Sequence, residues 1–208
     1  MKKNLKFLLI LTILLLIACN EDQLVDSPPN SVYTVGNVGP AGGYIIYDAG
    51  NNSQGWQYIE VAKDDIGPFI EWGCFNTPII NSRNAEIGSG MINTNEIVEF
   101  HDNLEDFYEK PEVCSDVSNG TVAAKACLDL DIEGFNDWQL PAINELLLIY
   151  NELQVNGLGN FDETALYWSS TEHDDNTAIA VDFGNGQFGY NCKQCAFDMV
   201  KIRPIRYF

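Results

Sequence analysis

Asp137-Trp138-Gln139-Leu140-Pro141-Ala142-Ile143-Asn144-Glu145-Leu146-Leu147-Leu148-Ile149-Tyr150-Asn151-Glu152-Leu153 carries the clearest structural signal in the chain. Ile143, Leu146, Leu147, Tyr150 and Leu153 stand at i, i+3, i+4, i+7 and i+10, which predicts one apolar stripe on a helix that ends before Gly157. Upstream, the turn cluster Gly39-Pro40-Ala41-Gly42-Gly43 leads into Tyr44-Ile45-Ile46-Tyr47, and Gly55 leads into Trp56 to Val61; both runs are rich in strand formers and predict a pair. Downstream come Tyr167 to Ser170, Ala178 to Phe183, a hairpin signal at Gly184-Asn185-Gly186, Gln187 to Tyr190, and a closing run Val200 to Arg203. Two more helices are expected: one from about Asn93, capped by Asn93 or Thr94 and carrying Ile97, Val98 and Phe100, and one capped by Thr121 with Val122, Ala123, Ala126 and Leu130. Strands at both ends with about three helices between them predict an α+β fold rather than alternating β/α units.

Composition narrows the function. Of 208 residues, 46% are hydrophobic and 20% charged, as in a folded globular protein. Eleven basic residues against thirty acidic ones leave a net charge of −19, which opposes partners bound through phosphate or sulfate and excludes nucleic acid. Gly88-Ser89-Gly90 before a helix has the spacing of a phosphate loop, yet so acidic a chain brings few cations to it. No repeat of twenty to fifty residues is visible, so a solenoid or propeller loses its main support.

The N-terminus reads as an address. Lys2, Lys3 and Lys6 precede the apolar run Phe7 to Ile17, which is short for a membrane span and ends in Leu16-Ile17-Ala18-Cys19, similar to a bacterial lipobox. The expected organisation is a lipoprotein signal peptide over 1–18, a lipidated tether over 19–35 containing Pro28-Pro29, and a folded domain over 36–208. Cys19 is the lipidation site; an unlipidated cleaved signal or an uncleaved anchor are the alternatives. Asn20 after the cysteine, rather than Asp, favours the outer membrane, and Glu21 and Asp22 resemble surface-export signals. The membrane is thus an expected partner through the lipid anchor, at the cell envelope, with display on its outer surface the further expectation.

Seven segments in order resemble the Lcl C-terminal-like domain, also known as domain of unknown function 1566. They are Gly39 to Tyr47, Gly55 to Glu60, Trp72-Gly73-Cys74, Ile87 to Gly90 with Asn93-Thr94, Asp137 to Pro141 with Glu145-Leu146, Tyr167 to Glu172, and Val200 to Arg206. The resemblance implies a C-type-lectin-like fold related to formylglycine-generating enzymes, with mostly antiparallel strands. It implies surface adhesion rather than chemistry, because the enzymes' cysteine or metal motifs do not map here. One adhesin of the family binds sulfated polysaccharides, a ligand that this acidic chain does not favour. Family members often carry Ser after the Leu-Pro pair, whereas this chain has Ala142. The lost cap is worth about 1 kcal/mol, which the apolar stripe of the helix can absorb.

Without Cys19, five cysteines remain, in a compartment that allows disulfides: Cys74, Cys114, Cys127, Cys192 and Cys195. Cys192-Lys193-Gln194-Cys195 is expected to be a small structural disulfide or a pair of inert thiols, with a redox pair or half a metal site as alternatives. Cys114 with Cys127, leaving Cys74 free, is the expected second pairing; Cys74 with Cys114 is its rival. Asp129-Leu130-Asp131-Ile132-Glu133-Gly134 imitates half an EF-hand loop but has Leu140 at the closing position, so a solvated acidic turn is expected there. Glu172, Asp174, Asp175 and Asn176, around His173, form a loop whose oxygens are candidates for a calcium-assisted sugar site; an exposed charged loop is the plainer reading. Trp72 is the candidate exposed ring for sugar stacking. Trp138, Pro141, Glu145 and Trp168 are expected to be structural, and Arg203 and Arg206 to pin the last strand to carboxylates such as Asp137 or Glu145. The expectation is a non-enzymatic recognition protein for a glycan or protein, with no cofactor unless calcium; the alternatives are a cysteine- or metal-dependent enzyme and a structural envelope component.

Overall fold

Tyr167 and Trp168 are adjacent in sequence and both fully buried, so their strand has no solvent face. Tyr167 enters one apolar cluster with Ile59, Leu146, Ile149 and Ile205, and Trp168 enters another with Ile97, Ala123, Ala180 and Val200. This strand belongs to the middle of the molecule. The structure, a computed structural model, describes residues 32–67, 70–195 and 200–208, and the proposed signal peptide, Cys19 and most of the tether lie outside them.

The strands are β1 (Tyr44–Asp48), β2 (Tyr58–Val61), β3 (Leu166–Glu172), β4 (Thr177–Asp182), β5 (Phe188–Cys192), β6 (Val200–Lys201) and β7 (Ile205–Tyr207). Among the described residues the helices are α1 (Gly90–Asp102), α2 (Ala123–Leu128) and α3 (Ile143–Glu152), with three short 3-10 turns. One sheet has the order β1-β2-β7 and is antiparallel; the other has the order β5-β4-β3-β6, with β3 and β6 parallel. The class is α+β. The final run predicted as one closing strand is two: after β6 the chain passes through Arg203-Pro204 and β7 joins the other sheet. Proline has no N–H to continue a ladder, so the switch falls where pairing must lapse.

Two of the three helix starts differ from expectation. Helix α1 begins at Gly90, ahead of Asn93 and Thr94, which are buried inside it. Thr94 Oγ1 accepts the Leu140 N–H at 3.0 Å, and Asn93 Nδ2 donates to the Ala-preceding carbonyl of Asn84 at 2.7 Å, so these polar side chains tie the helix to neighbouring loops. Thr121 is not the cap of α2; its hydroxyl accepts the Glu71 N–H at 2.9 Å, and Val122 precedes the helix. Helix α3 does start after Ala142, with its stripe centred on Ile143, Leu146 and Ile149, while Leu147 and Tyr150 lie at its margin. The missing serine is replaced by atoms from distant parts of the same chain: Ile143 N–H donates to Thr171 Oγ1 at 3.0 Å and Asn144 N–H to the Ala85 carbonyl at 3.1 Å.

Glu145 completes that arrangement. Its Oε2 accepts the Ala142 N–H at 2.7 Å, and its Oε1 accepts the Gly88 N–H at 2.7 Å and the Tyr207 hydroxyl at 2.6 Å; the Gly90 N–H also donates to it. The carboxyl therefore sits at the N-termini of both α1 and α3. A Cβ on Gly90 would lie 2.6 Å from Glu145 Oε2 and 2.9 Å from the Leu140 carbonyl, so only glycine fits. The Gly88-Ser89-Gly90 turn is an anion cradle whose anion is the protein's own.

Burial outweighs these donors and pushes the Glu145 pKa up from 4.5 to about 7. A raised folded-state pKa gives stability that is complete below the unfolded value and is lost as pH rises through the folded one. The native state should thus lose about 2–3 kcal/mol from this group between pH 5 and pH 8. Glu145→Gln should flatten that part of the profile. Urea unfolding of both proteins at the two pH values checks this, and equal slopes would refute it.

Candidate functional site

At one end of the four-stranded sheet, β3 runs into the 173–176 loop, β4 begins beside it, and β5 runs into Cys192-Lys193-Gln194-Cys195. Thr177 pairs with Cys192 in the ladder, and the Lys193 N–H donates to the Asn176 carbonyl at 3.1 Å. Two segments that looked separate in sequence, the acidic loop and the CxxC, are one structure.

Lys193 joins them. Its side chain is fully buried, with Nζ donating to Glu172 Oε1 at 2.5 Å, the Thr77 carbonyl at 2.9 Å and the Asp175 carbonyl at 3.1 Å, and lying 5.0 Å from the Trp72 ring centre. Glu172 is buried too, accepting the Ile79 N–H at 2.6 Å and Arg83 Nε at 2.8 Å. Burial pulls the Lys193 pKa down and the Glu172 carboxylate opposes it. A buried ammonium held by a carboxylate and two carbonyls is saturated.

This geometry corrects the expected ligand set. Trp72 is not an exposed ring: it is fully buried and its Nε1 donates to the Ser169 carbonyl at 2.7 Å. Glu172 is committed to Lys193 and Arg83, and Asp175 and Asn176 contribute main-chain carbonyls to the same clamp. Asp174 Oδ1 closes its own turn, accepting from the Asn176 and Thr177 N–H groups and the Thr177 hydroxyl, which hold its carboxyl down at about 2. Among the described residues no group of three His, Cys, Asp or Glu side chains is placed to hold a metal. The Asp129–Gly134 segment is a tight turn in which Asp131 accepts the Gly134 N–H at 2.9 Å and Lys125 pairs with Asp129.

The disulfides are Cys74–Cys114 and Cys192–Cys195, so the pairing of Cys114 with Cys127 is corrected. Cys127 is free because α2 points it into the core beside Ala123 and Ala124, and burial raises its thiol pKa. The Cys74 N–H donates to Nε2 of buried His101, whose Nδ1 lies 2.6 Å from the Ile97 carbonyl and so carries the proton. Desolvation lowers the His101 pKa to about 4, which makes this a neutral structural histidine.

Of the residues expected to be structural, Trp138 and Trp168 are buried, as is Pro141, whose carbonyl accepts the Ser170 N–H at 2.8 Å. Arg206 grips Asp137 through Nε at 2.7 Å and Nη2 at 2.9 Å and reaches Glu60 at 3.2 Å. Arg203 instead pairs with Asp65 at 2.6 Å and lies over Phe161.

What remains available to a ligand was not singled out in the sequence. Phe188 and Tyr190, two apart on the edge strand β5, are 53% and 56% exposed, and the His173 ring stacks on Tyr190 with centres 3.6 Å apart and planes 13° apart. Cys192 follows on the same face by strand alternation. It opens a groove of about 640 Å³ walled by Phe75, Ser115, Asp116, Val117, Gln194 and Cys195, beside the Cys192–Cys195 disulfide. The period-2 spacing of Phe188, Tyr190 and Cys192 was legible; that β5 lies at a sheet edge was not.

Comparison with solved structures finds a crystal structure of a fimbrial protein from Bacteroides ovatus, at 11% identity and a TM-score of 0.45, covering 73% of this chain and 36% of that one. No curated protein sequence matches. The Lcl C-terminal domain family matches residues 83–206, from ahead of α1 into β7; β1 and β2 precede it, and β2 pairs with β1 on one side and β7 on the other. With more than half of its 208 residues inside that match, the chain belongs to the Lcl C-terminal domain family.

Proposed function

We propose that this protein is a non-enzymatic recognition module of the bacterial cell envelope, held by lipid on Cys19 in the outer membrane, that binds a glycan or protein partner across the β5 face. The C-type-lectin-like relation of its α+β fold belongs to the same reading, supported by family membership. The observation that carries it is the strip of Phe188, Tyr190 and stacked His173 leading into the groove. Rigid aromatic rings present large apolar area at small entropic cost, which suits them to recognition. The buried titratable side chains support it in another way: Glu172, Lys193, His101 and four cysteines are engaged in the framework. No cofactor is needed for binding of this kind.

The test is binding of the full chain in detergent to glycan and peptide arrays, with and without calcium. A ligand should be found whose affinity falls tenfold or more in Tyr190→Ser, with the thermal midpoint unchanged. Silence on both arrays, or a ligand indifferent to Tyr190, would overturn the reading. Mass spectrometry of the mature chain checks the anchor: diacylglycerol on Cys19 is expected, and an intact Met1 terminus would refute it.

A further inference from the structure

Among the described residues β5 has a neighbour on one side only, and it lacks the usual protections of an exposed sheet edge. The Asp182 N–H donates to the Gln187 carbonyl at 2.8 Å and the Lys193 N–H to the Asn176 carbonyl at 3.1 Å, at the two ends of an unbroken register. These bonds set the phase of the ladder: Gln187, Gly189, Asn191 and Lys193 turn their main chain toward β4, so Phe188, Tyr190 and Cys192 turn theirs away. The Cys192 carbonyl is taken by the Cys195 N–H at 3.2 Å. The N–H and carbonyl of Phe188 and of Tyr190, together with the Cys192 N–H, are left open to a further strand. The run Gln187 to Cys192 contains no charge and no proline, and its pairing has no bulge, whereas β1–β2 and β3–β4 each carry a register shift.

We infer that β5 accepts an extended, basic segment of a partner protein as an added strand. Main-chain bonds supply the affinity, and alternate side chains of the incoming strand lie against Phe188 and Tyr190, both more than half exposed. A glycan cannot reproduce the alternation of N–H and carbonyl groups that this edge presents. Charge selects among polypeptides. Past Cys192 the strip enters the groove, where Phe75, Val117 and the disulfide form apolar walls and the exposed Asp116 makes no ion pair among the described residues. That combination fits an arginine or lysine, whose aliphatic stem lies along the walls while its charge meets Asp116. A second copy of this chain brings a net charge of −19 against −19 and offers Asp116 an uncharged strand, so it is the weaker occupant.

The inference rests on the recognition reading above and names its partner class. The probe is the peptide acetyl-RVTVTVR-amide, titrated calorimetrically into the full chain in detergent beside acetyl-EVTVTVE-amide. Two further forms of the basic peptide are N-methylated, one at its second, fourth and sixth residues and the other at its third and fifth. The basic peptide should bind at least tenfold more tightly than the acidic one. One N-methyl pattern should abolish binding and the other should keep it within threefold, because only one set of amides faces β5. Phe188→Pro removes an outward N–H at the first residue of an edge strand and no bond to β4; it should weaken the peptide at least tenfold beyond Phe188→Ala, with both variants unfolding as the parent does. Should Phe188→Pro not fold, the N-methyl pair decides alone. Equal responses to the two patterns, or equal affinity for the acidic peptide, overturns the inference. A dimer in sedimentation that is lost in Phe188→Pro assigns the edge to a second copy and overturns it too. If the peptide fails while a glycan or other array ligand is lost in Tyr190→Ser, the added strand falls and the recognition reading stands; if Tyr190→Ser alters no ligand, both fall.

Discussion

Glu172→Ala should destabilise the protein by about 3–5 kcal/mol, the cost of stranding a buried charge rather than of losing an attraction. Lys193 has no solvent to turn to, and its other acceptors are the carbonyls of Thr77 and Asp175, which are too weak to neutralise an ammonium. The same change orphans the Ile79 N–H and frees Arg83, so three segments lose a common anchor. Pairing Glu172→Gln with Lys193→Met removes both charges and should recover much of the loss, giving a large coupling energy in a double-mutant cycle read by urea unfolding. A loss under about 1 kcal/mol for Glu172→Ala would mean that the ion pair is dispensable and that packing around Trp72 holds this end by itself.

Removing the Cys74–Cys114 bridge by paired serine substitutions should cost about 4 kcal/mol, because it releases a loop of 40 residues in the unfolded chain. Cys192–Cys195 closes a separation of only 3, for which the same relation gives less than about 2 kcal/mol. Against a typical stability of about 5–15 kcal/mol the first loss is severe and the second mild. Denaturant midpoints of the two double-serine proteins decide it: the order should be clear, and reversal would show that the bridges act through native contacts rather than chain entropy. The buried Cys127 should stay unreactive to thiol reagents in the native state.

The parts of the fold readable in advance were those set by local pattern. Helix α3 follows from apolar spacing, and the β4–β5 hairpin from Gly184-Asn185-Gly186, where Gly186 adopts φ 73°. What was not readable depends on partners distant in sequence. Asn93 and Thr94 look like caps, but their hydrogen bonds go to residues 84 and 140, and no local rule reveals that. Trp72 lies among loop residues and so looked exposed, whereas Phe188 and Tyr190 looked like ordinary strand residues; burial depended on which strand became the edge. Acidic side chains at 172–176 suggested a calcium-assisted site; what Glu172 and the Asp175 carbonyl hold is Lys193, inside a motif read for its cysteines.

The crossing of Val200–Phe208 from one sheet to the other has a consequence for biogenesis. Synthesis delivers the N-terminus first, yet β2 gains its β7 neighbour and β3 its β6 neighbour only when residues 200–208 arrive. Such distant pairings are slow to form, and neither ladder can finish early. A polypeptide wired this way keeps both sheets incomplete until residues 200–208 are in place.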